Sequence, residues 1–444
     1  MKHFKRMTFA ILFVFMMMLH VSAAEVSTYD ALKSCLETDG SACTLKANVE
    51  LENTIEIAEE VTLDLNGYTI SLSDTYAGID SMFVVLHGGK LTVNDSSTAK
   101  TGKIYTENSE DVFVGIKMTK AGGDNTLVAT LVVNGGTIEG TSYGISGNGN
   151  PGRDNTDVTI NGGTIKGGTV GIFQPQVGEV TINGGKVTGA TGIEMRSGTL
   201  VVNGGTIEAT ADEVEINPSG NGAASKGVGI AVMQHTTVKP ISVTVNDGEI
   251  TGASALYQSN PQNNAAADVQ KVEIAVKGGN FEATDENEKA VYSENLTEFV
   301  TGGTFNTEVE ETLVADTITK KEENGVVYVG KESNITVKDA TNGEVKADRT
   351  TAVEGQTVTL TITAAKGYKL DKVVVKDAAG KEVTVTDGKF VMPGSNVEVS
   401  ATFVAETPEV PKTGDNVMLF VALGFMSIAA IAVASNNLKR RITR

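Results

Sequence analysis

The 444-residue chain has no tryptophan, two cysteines, four histidines and eight prolines, and its 36 basic residues are outnumbered by 55 acidic ones. The formal net charge of −19 argues against nucleic-acid binding, because phosphate recognition needs clustered lysine and arginine. With so few cysteines and histidines, no zinc site is expected, and no cofactor is implied. A hydrophobic content of 40% excludes a wholly disordered chain.

The N-terminus has the features of a secretory signal peptide over residues 1–24. A basic start precedes an almost wholly apolar run at 7–19, and small residues suited to signal peptidase follow it. The next segment, 25–44, is predicted to cap the exported chain. Cys35 and Cys43 are expected to form a disulfide there, because exported proteins fold in an oxidising compartment.

The C-terminal segment 410–444 combines three features in a fixed order. A pentapeptide comes first, an uncharged apolar stretch at 417–434 follows, and a basic tail closes the segment. The apolar stretch is long enough to span a bilayer, and positive charge after it holds the tail on the cytoplasmic side. The pentapeptide consists of Val410, Pro411, Lys412, Thr413 and Gly414.

This segment resembles the LPxTG-type sorting signal of Gram-positive surface proteins, with Val410 in place of the consensus leucine. The resemblance implies that sortase cleaves after Thr413 and joins it to peptidoglycan. Sortase and peptidoglycan are then the expected partners. The expected location is the cell wall of a Gram-positive bacterium, with membrane anchoring through the apolar stretch before sorting.

One sequence motif recurs through the middle of the chain. Apolar and polar residues alternate up to an Asn-Gly-Gly sequence, and a short apolar-polar pair follows it, as at 131–138, 158–165, 180–187 and 200–207. The alternation predicts strands, and the glycines allow positive φ at a sharp turn. Repeats of about this length predict a solenoid in which each coil stacks on the last. A third short strand containing Gly-Ile completes each coil.

This pattern resembles the pectate-lyase-like superfamily of right-handed parallel β-helices over roughly residues 45–310. The resemblance implies an all-β solenoid domain at 45–330. It also implies a ladder of stacked asparagines along one turn, for which Asn66 looks like an early rung. The predicted ladder residues are Asn134, Asn161, Asn183, Asn203 and Asn246.

Residues 331–404 show a different pattern of alternating strands, which resembles the bacterial surface repeat related to internalin B-repeats. The resemblance implies a small β-rich repeat domain that acts as a spacer. A short linker at 405–409 separates it from the sorting signal. The predicted fold class is therefore all-β, with a right-handed parallel β-helix solenoid followed by a small β-rich repeat domain.

The residue after each inward aliphatic of the third strand should point outwards. This column reads Lys117, Ser146, Phe173, Glu194, Ala231, Tyr257 and Tyr292, and long loops follow the same strand. Variable loops on one edge, opposite a constant turn, predict a binding groove. The candidate ligand-binding residues are Phe173, Glu194, Arg196, His235, Tyr257 and Tyr292.

Three functions fit the sequence: a wall-anchored adhesin or glycan-binding rod, a polysaccharide-active lyase or glycoside hydrolase, and a purely structural surface protein. Acid–base cleavage of a glycosidic bond needs two carboxylates, and the outward column offers only Glu194. No catalytic residue is therefore assigned, and the non-catalytic adhesin is preferred. Its expected ligand is an extended glycan or a host surface molecule, contacted by tyrosine and phenylalanine in the absence of tryptophan.

Overall fold

The computed structural model describes residues 23–106, 112–218 and 221–406, which fall into two units. The first unit extends to Phe299 and includes Phe305–Leu313, and the second comprises Val300–Thr304 and the chain from Val314 onwards. The predicted sorting signal and the apolar part of the predicted signal peptide lie outside the described residues. Within the described ranges, no helix has the length and apolar character needed to cross a membrane.

Three long parallel sheets form the first unit, and each coil contributes one strand to each sheet in turn. Sheet A consists of Ala24–Val26, Ala42–Leu45, Glu60–Asp64, Lys90–Asn94, Ala129–Val133, Thr156–Ile160, Gly178–Ile182, Gly198–Val202, Ile241–Val245 and Val272–Val276. Sheet B contains Val49–Leu51, Thr69–Leu72, Lys103–Tyr105, Thr137–Gly140, Thr164–Gly167, Lys186–Gly189, Thr206–Ala209, Glu249–Gly252 and Asn280–Ala283. Sheet C contains Ile55–Ile57, Asp80–Val85, Val112–Met118, Tyr143–Ser146, Val170–Gln174, Thr191–Met195, Val228–Met233, Ser254–Ser259 and Val291–Ser293. The first unit is therefore a parallel β-helix, as predicted.

The interior of the β-helix is filled by the apolar residue that each strand turns inwards. In one coil, Leu131 and Val133 of sheet A, Ile138 of sheet B and Ile145 of sheet C are all at most 1% exposed. Because the coils are in register, each of these residues lies beside an aliphatic residue of the next coil, for example Ile138 beside Ile165. The period-two alternation of the sequence thus becomes a continuous apolar column.

The turn from sheet A to sheet B depends on the second glycine of each Asn-Gly-Gly sequence. Gly163 has φ +82°, and a Cβ added there would lie 2.5 Å from the carbonyl oxygen of Gly136 in the preceding coil. The first glycine, Gly162, does not have positive φ. The tight turn therefore needs glycine for backbone conformation and for the close approach of neighbouring coils.

The N-terminal segment is part of the β-helix as well as its cap. Strand Ala24–Val26 pairs in parallel with Ala42–Leu45, so sheet A begins before the predicted boundary at residue 45. Helix α1 (Tyr29–Leu36) connects these two strands and buries its apolar side. A disulfide joins Cys35 of the helix to Cys43 of the second strand.

The second unit is a small β domain with its own core. Strands Thr351–Val353, Glu332–Val337, Val397–Ala405, Tyr368–Asp377 and Glu382–Val383 form one sheet, and Gly343–Ala347, Thr357–Ala364 and Lys389–Val391 form another. A hairpin of Thr319–Glu323 and Val326–Gly330 also belongs to this unit. Short elements elsewhere are the strand Gly303–Phe305, the 3₁₀ helix Glu311–Leu313 and helix α2 (Ala266–Val269).

Side chains from the rest of the second unit hold the hairpin at 319–330. Both guanidinium NH₂ groups of Arg349 donate to Glu323, each at 2.9 Å. Gln356 Nε2 also donates to this carboxylate at 2.9 Å. Glu323 of the hairpin is therefore bonded to two side chains that lie far from it in sequence.

Candidate functional site

The seven residues of the predicted outward column lie side by side on neighbouring strands of sheet C. Cα pairing runs in register through Lys117, Ser146, Phe173, Glu194, Ala231, Tyr257 and Tyr292. They do not, however, line a continuous groove. A covering segment, made of residues 210–218 and 221–227, lies over part of the column.

This covering segment connects the strand Thr206–Ala209 of sheet B to Val228–Met233 of sheet C. It therefore lies on the opposite edge of sheet C from the loops that follow the sheet C strands. Val214 and Ile216 pack against the cluster that contains Ala231, with Tyr257 packed beside them. The sequence spacing indicates that an extra segment is inserted here, because Asn203 and Asn246 are 43 residues apart, about twice the usual repeat length.

On one side of the covering segment, sheet C carries a cavity of about 450 Å³. Its floor includes Lys117, Ser146 and Phe173 of the outward column. One wall comes from the loops that follow sheet C strands, and the other includes residues of the covering segment. The remaining lining residues are Asp80, Phe113, Val114, Tyr143, Gly147, Asn148, Gly149, Asn150, Pro175, Arg196, Asn221, Gly222, His235 and Thr237.

An aromatic stack forms part of the cavity lining. The rings of Tyr143 and Phe173 are stacked with centroids 5.3 Å apart, and Phe113 meets Tyr143 edge-on at 6.3 Å. Arg196 lies 5.7 Å from the centroid of Phe173. Because Phe173 contacts Tyr143 and Arg196 and is only 7% exposed, it is not the open stacking platform that its outward position predicts.

Glu194 does not face the cavity, although it belongs to the outward column. Its carboxylate is fully buried and accepts hydrogen bonds from Arg196 Nε at 2.8 Å and from Ser225 Oγ at 2.6 Å. The backbone amides of Ala224 and Ser225 also donate to it, at 2.8 and 3.0 Å. Glu194 therefore binds the covering segment to sheet C, and the prediction that its side chain is exposed on the outward face is wrong.

Charged groups along the cavity are paired with one another. Lys117 Nζ donates to Asp80, and Arg196 is paired with Glu194. The backbone N–H of Thr237 donates to Nδ1 of His235 at 3.2 Å. The two cationic side chains Lys117 and Arg196 are thus each paired with a carboxylate, although the whole chain carries −19.

Burial raises the pKa of Tyr143, and a hydrogen bond with the backbone of Ala223 opposes that rise. The Tyr143 hydroxyl is thus a neutral group at physiological pH. Its contact with Ala223 links the aromatic stack to the covering segment.

Tyr257 and Tyr292 do not line the cavity. Their rings are stacked on each other at 4.4 Å, and Tyr257 packs against the covering segment. Burial and the neighbouring Tyr292 raise the pKa of Tyr257 to about 12. Of the six candidate ligand-binding residues, the cavity therefore brings together Phe173, Arg196 and His235.

The asparagine ladder follows the outside of the turn between sheets A and B. Each side-chain amide donates to the carbonyl oxygen of the previous rung at 2.8–2.9 Å, along the series Asn246, Asn203, Asn183, Asn161, Asn134 and Asn94. The structure adds Asn94 to the ladder. Asn66 is not a rung, since its amide donates to the carbonyl oxygen of Leu45. The five predicted rungs are all solvent-exposed.

Over the described part of the chain, no three His, Cys, Asp or Glu side chains are grouped so that they could hold a metal ion.

Comparison with known proteins supports the domain assignment of the second unit. Residues 333–407 match the family described as "Divergent InlB B-repeat domain", close to the predicted repeat domain at 331–404. No curated protein and no solved structure matches the chain. The fold and this match define an all-β protein that combines a parallel β-helix with a B-repeat-like domain.

Proposed function

We propose that this protein is a cell-wall-anchored surface protein that binds a neutral, extended glycan in the cavity on sheet C without cleaving it. The observation that carries the proposal is the composition of this cavity of about 450 Å³. Three side-chain amides, from Asn148, Asn150 and Asn221, line it beside the aromatic stack. Amides both donate and accept hydrogen bonds, which suits the hydroxyl groups of a sugar.

The neutral character of the ligand follows from the pairing of the cavity's charges. Lys117 is neutralised by Asp80, and Arg196 by Glu194. An anionic sugar would have to compete with these carboxylates for their cations. It would also approach a chain with a strongly negative net charge, which disfavours encounter with anions.

Binding without cleavage is supported by the use that the structure makes of Glu194 and Asp80. A catalytic carboxylate must reach the substrate and exchange a proton with it. Glu194 is buried beneath the covering segment, where four donors surround it, and Asp80 is tied to Lys117. Glu194 holds the wall formed by the covering segment, and Asp80 is paired with Lys117 on the cavity floor.

The proposal that the cavity binds a glycan is tested with a glycan array and one substitution that fills the cavity. Ser146 lies on the cavity floor, so Ser146→Phe should fill the space and abolish glycan binding while the melting temperature stays within a few degrees of the wild type. Thr181→Phe, on the outward face of sheet A, adds the same side chain elsewhere and should bind normally. Equal binding by both variants would place the glycan site outside the cavity.

Anchoring is proposed from the tripartite pattern at 410–444, with sortase as the processing enzyme and Thr413 as the residue joined to peptidoglycan. The B-repeat match at 333–407 supports a spacer between the β-helix and this segment. Thr413→Ala should shift the protein from the wall fraction to the membrane or the medium, whereas the nearby Thr407→Ala should not. If wall digestion released equal amounts of both variants, the sorting proposal would be wrong.

A further inference from the structure

Asn-Gly sequences are the chemically weakest points of many chains. The glycine nitrogen attacks the side-chain carbonyl carbon of asparagine, a C–N bond forms, and ammonia leaves. Water then opens the cyclic imide to aspartate or isoaspartate, which adds one negative charge. This chain has nine Asn-Gly sequences, at Asn66, Asn134, Asn148, Asn161, Asn183, Asn203, Asn221, Asn324 and Asn342.

Four of the nine belong to the interior of the asparagine ladder. Asn134, Asn161, Asn183 and Asn203 each donate one ladder hydrogen bond and accept another. At two of the four, the attacking nitrogen is held as well, since Gly162 N donates to Val133 O and Gly184 N to Ile160 O, each at 3.3 Å. The side chain must leave both neighbours before its carbonyl carbon can meet the glycine nitrogen.

The two end rungs of the ladder differ from the interior rungs in their number of ladder hydrogen bonds and in the residue that follows the asparagine. Asn94 and Asn246 each have a single ladder hydrogen bond. Each is followed by aspartate, Asp95 or Asp247, whose side chain hinders closure of the imide ring. Glycine therefore follows asparagine only at the rungs that are held from both sides.

Asn324 lacks this protection. It occupies the tip of the hairpin formed by Thr319–Glu323 and Val326–Gly330. A Cβ added to Gly325 would meet nothing within 4 Å, and no described residue hydrogen-bonds the side-chain amide of Asn324. Asn324 and the ladder rung Asn161 are both solvent-exposed, so access of water does not distinguish them.

We propose that Asn324 is a site of spontaneous deamidation and that the ladder protects its four Asn-Gly sequences from the same reaction. The ladder then has a chemical role besides its structural one, because it preserves an exposed turn against slow hydrolysis. Aspartate at one rung would also place a carboxylate against the amide oxygen of a neighbour, in the position where the lost NH₂ group donated.

The test is peptide mapping by mass spectrometry after the purified full chain has aged in mildly alkaline buffer. Deamidation at Asn324 should be at least about tenfold faster than at Asn134, Asn161, Asn183 or Asn203, which corresponds to about 1.4 kcal/mol of barrier. In concentrated guanidinium chloride the five sites should react at similar rates. Equal rates in the folded chain would overturn the proposal.

A substitution separates the ladder bonds from the general rigidity of the β-helix. Asn161→Ala removes one bond from Asn134 and one from Asn183, so both should deamidate severalfold faster while Asn324 is unchanged. Lys166→Ala is the matched control, because it alters the same coil and removes only one of the two lysines that pair with Glu139. Unchanged rates at Asn134 and Asn183 in folded Asn161→Ala would assign the protection to the backbone and contradict the ladder's role.

Discussion

Substitution of Glu194 tests how the cavity wall is held. Glu194→Ala removes the carboxylate that accepts hydrogen bonds from Arg196 Nε and from the backbone amides of Ala224 and Ser225. Breaking a buried ion pair costs about 3–5 kcal/mol, much of it from the charge left unpaired. Local detachment of the covering segment at 210–227 relieves that cost, so we expect this segment to open while the β-helix remains folded.

The assay is limited proteolysis with a non-specific protease, read by mass spectrometry, beside a thermal melt. A local loss of about 3 kcal/mol raises the open population, and with it the cleavage rate within 210–227, by about 100-fold. Glu215→Ala is the control, because its pair with Lys226 is exposed and should matter little. Cleavage of Glu194→Ala at the wild-type rate would refute the fastening role of Glu194.

Three further results are expected. Asn161→Ala should lower the free energy of unfolding by only about 1 kcal/mol, because its two ladder bonds are exposed, and a denaturation midpoint that implied much more would contradict this. Gly163→Val should cost about 3 kcal/mol or more, since φ is +82° and the new Cβ would lie 2.5 Å from a carbonyl oxygen; a stable variant would refute the turn geometry. A hydrogen bond from Arg349 lowers the pKa of Glu323 from 4.5. The stability that this pair gives the second unit is therefore fully present above pH 4.5, and it is lost as the pH falls through the lower pKa of the folded state. Acid melts of the second unit should therefore be less pH-dependent in Glu323→Gln, and an unchanged profile would exclude the pair.

The regular parts of the fold follow from the sequence because each depends on a local pattern. Alternating residues such as Leu131 and Val133 predict an inward row, and the repeated Asn-Gly-Gly places the turn and the ladder. The register between neighbouring coils then follows because similar sequence motifs stack on one another. The outward column of sheet C was predictable for the same reason, since its position in the coil is constant.

The candidate site depends on features that break the repeat, and these were harder to predict. The covering segment at 210–227 has no counterpart in other coils, and nothing in its own alternation places it over Tyr257. Glu194 has the position of an exposed residue but is buried by this distant segment. Asn66 has the sequence of a rung, yet its amide turns to Leu45, because a one-dimensional pattern does not determine hydrogen-bond partners.

The central claim is that the cavity on sheet C is the ligand site, and hydrogen exchange with and without a bound glycan tests it most directly. With the glycan that the array identifies, the account predicts slower amide exchange at 146–150 and 221–224, the two walls of the cavity. Strands of sheet A and the Tyr257–Tyr292 pair should exchange at unchanged rates. Protection confined to those regions, with none at the cavity walls, would contradict the claim.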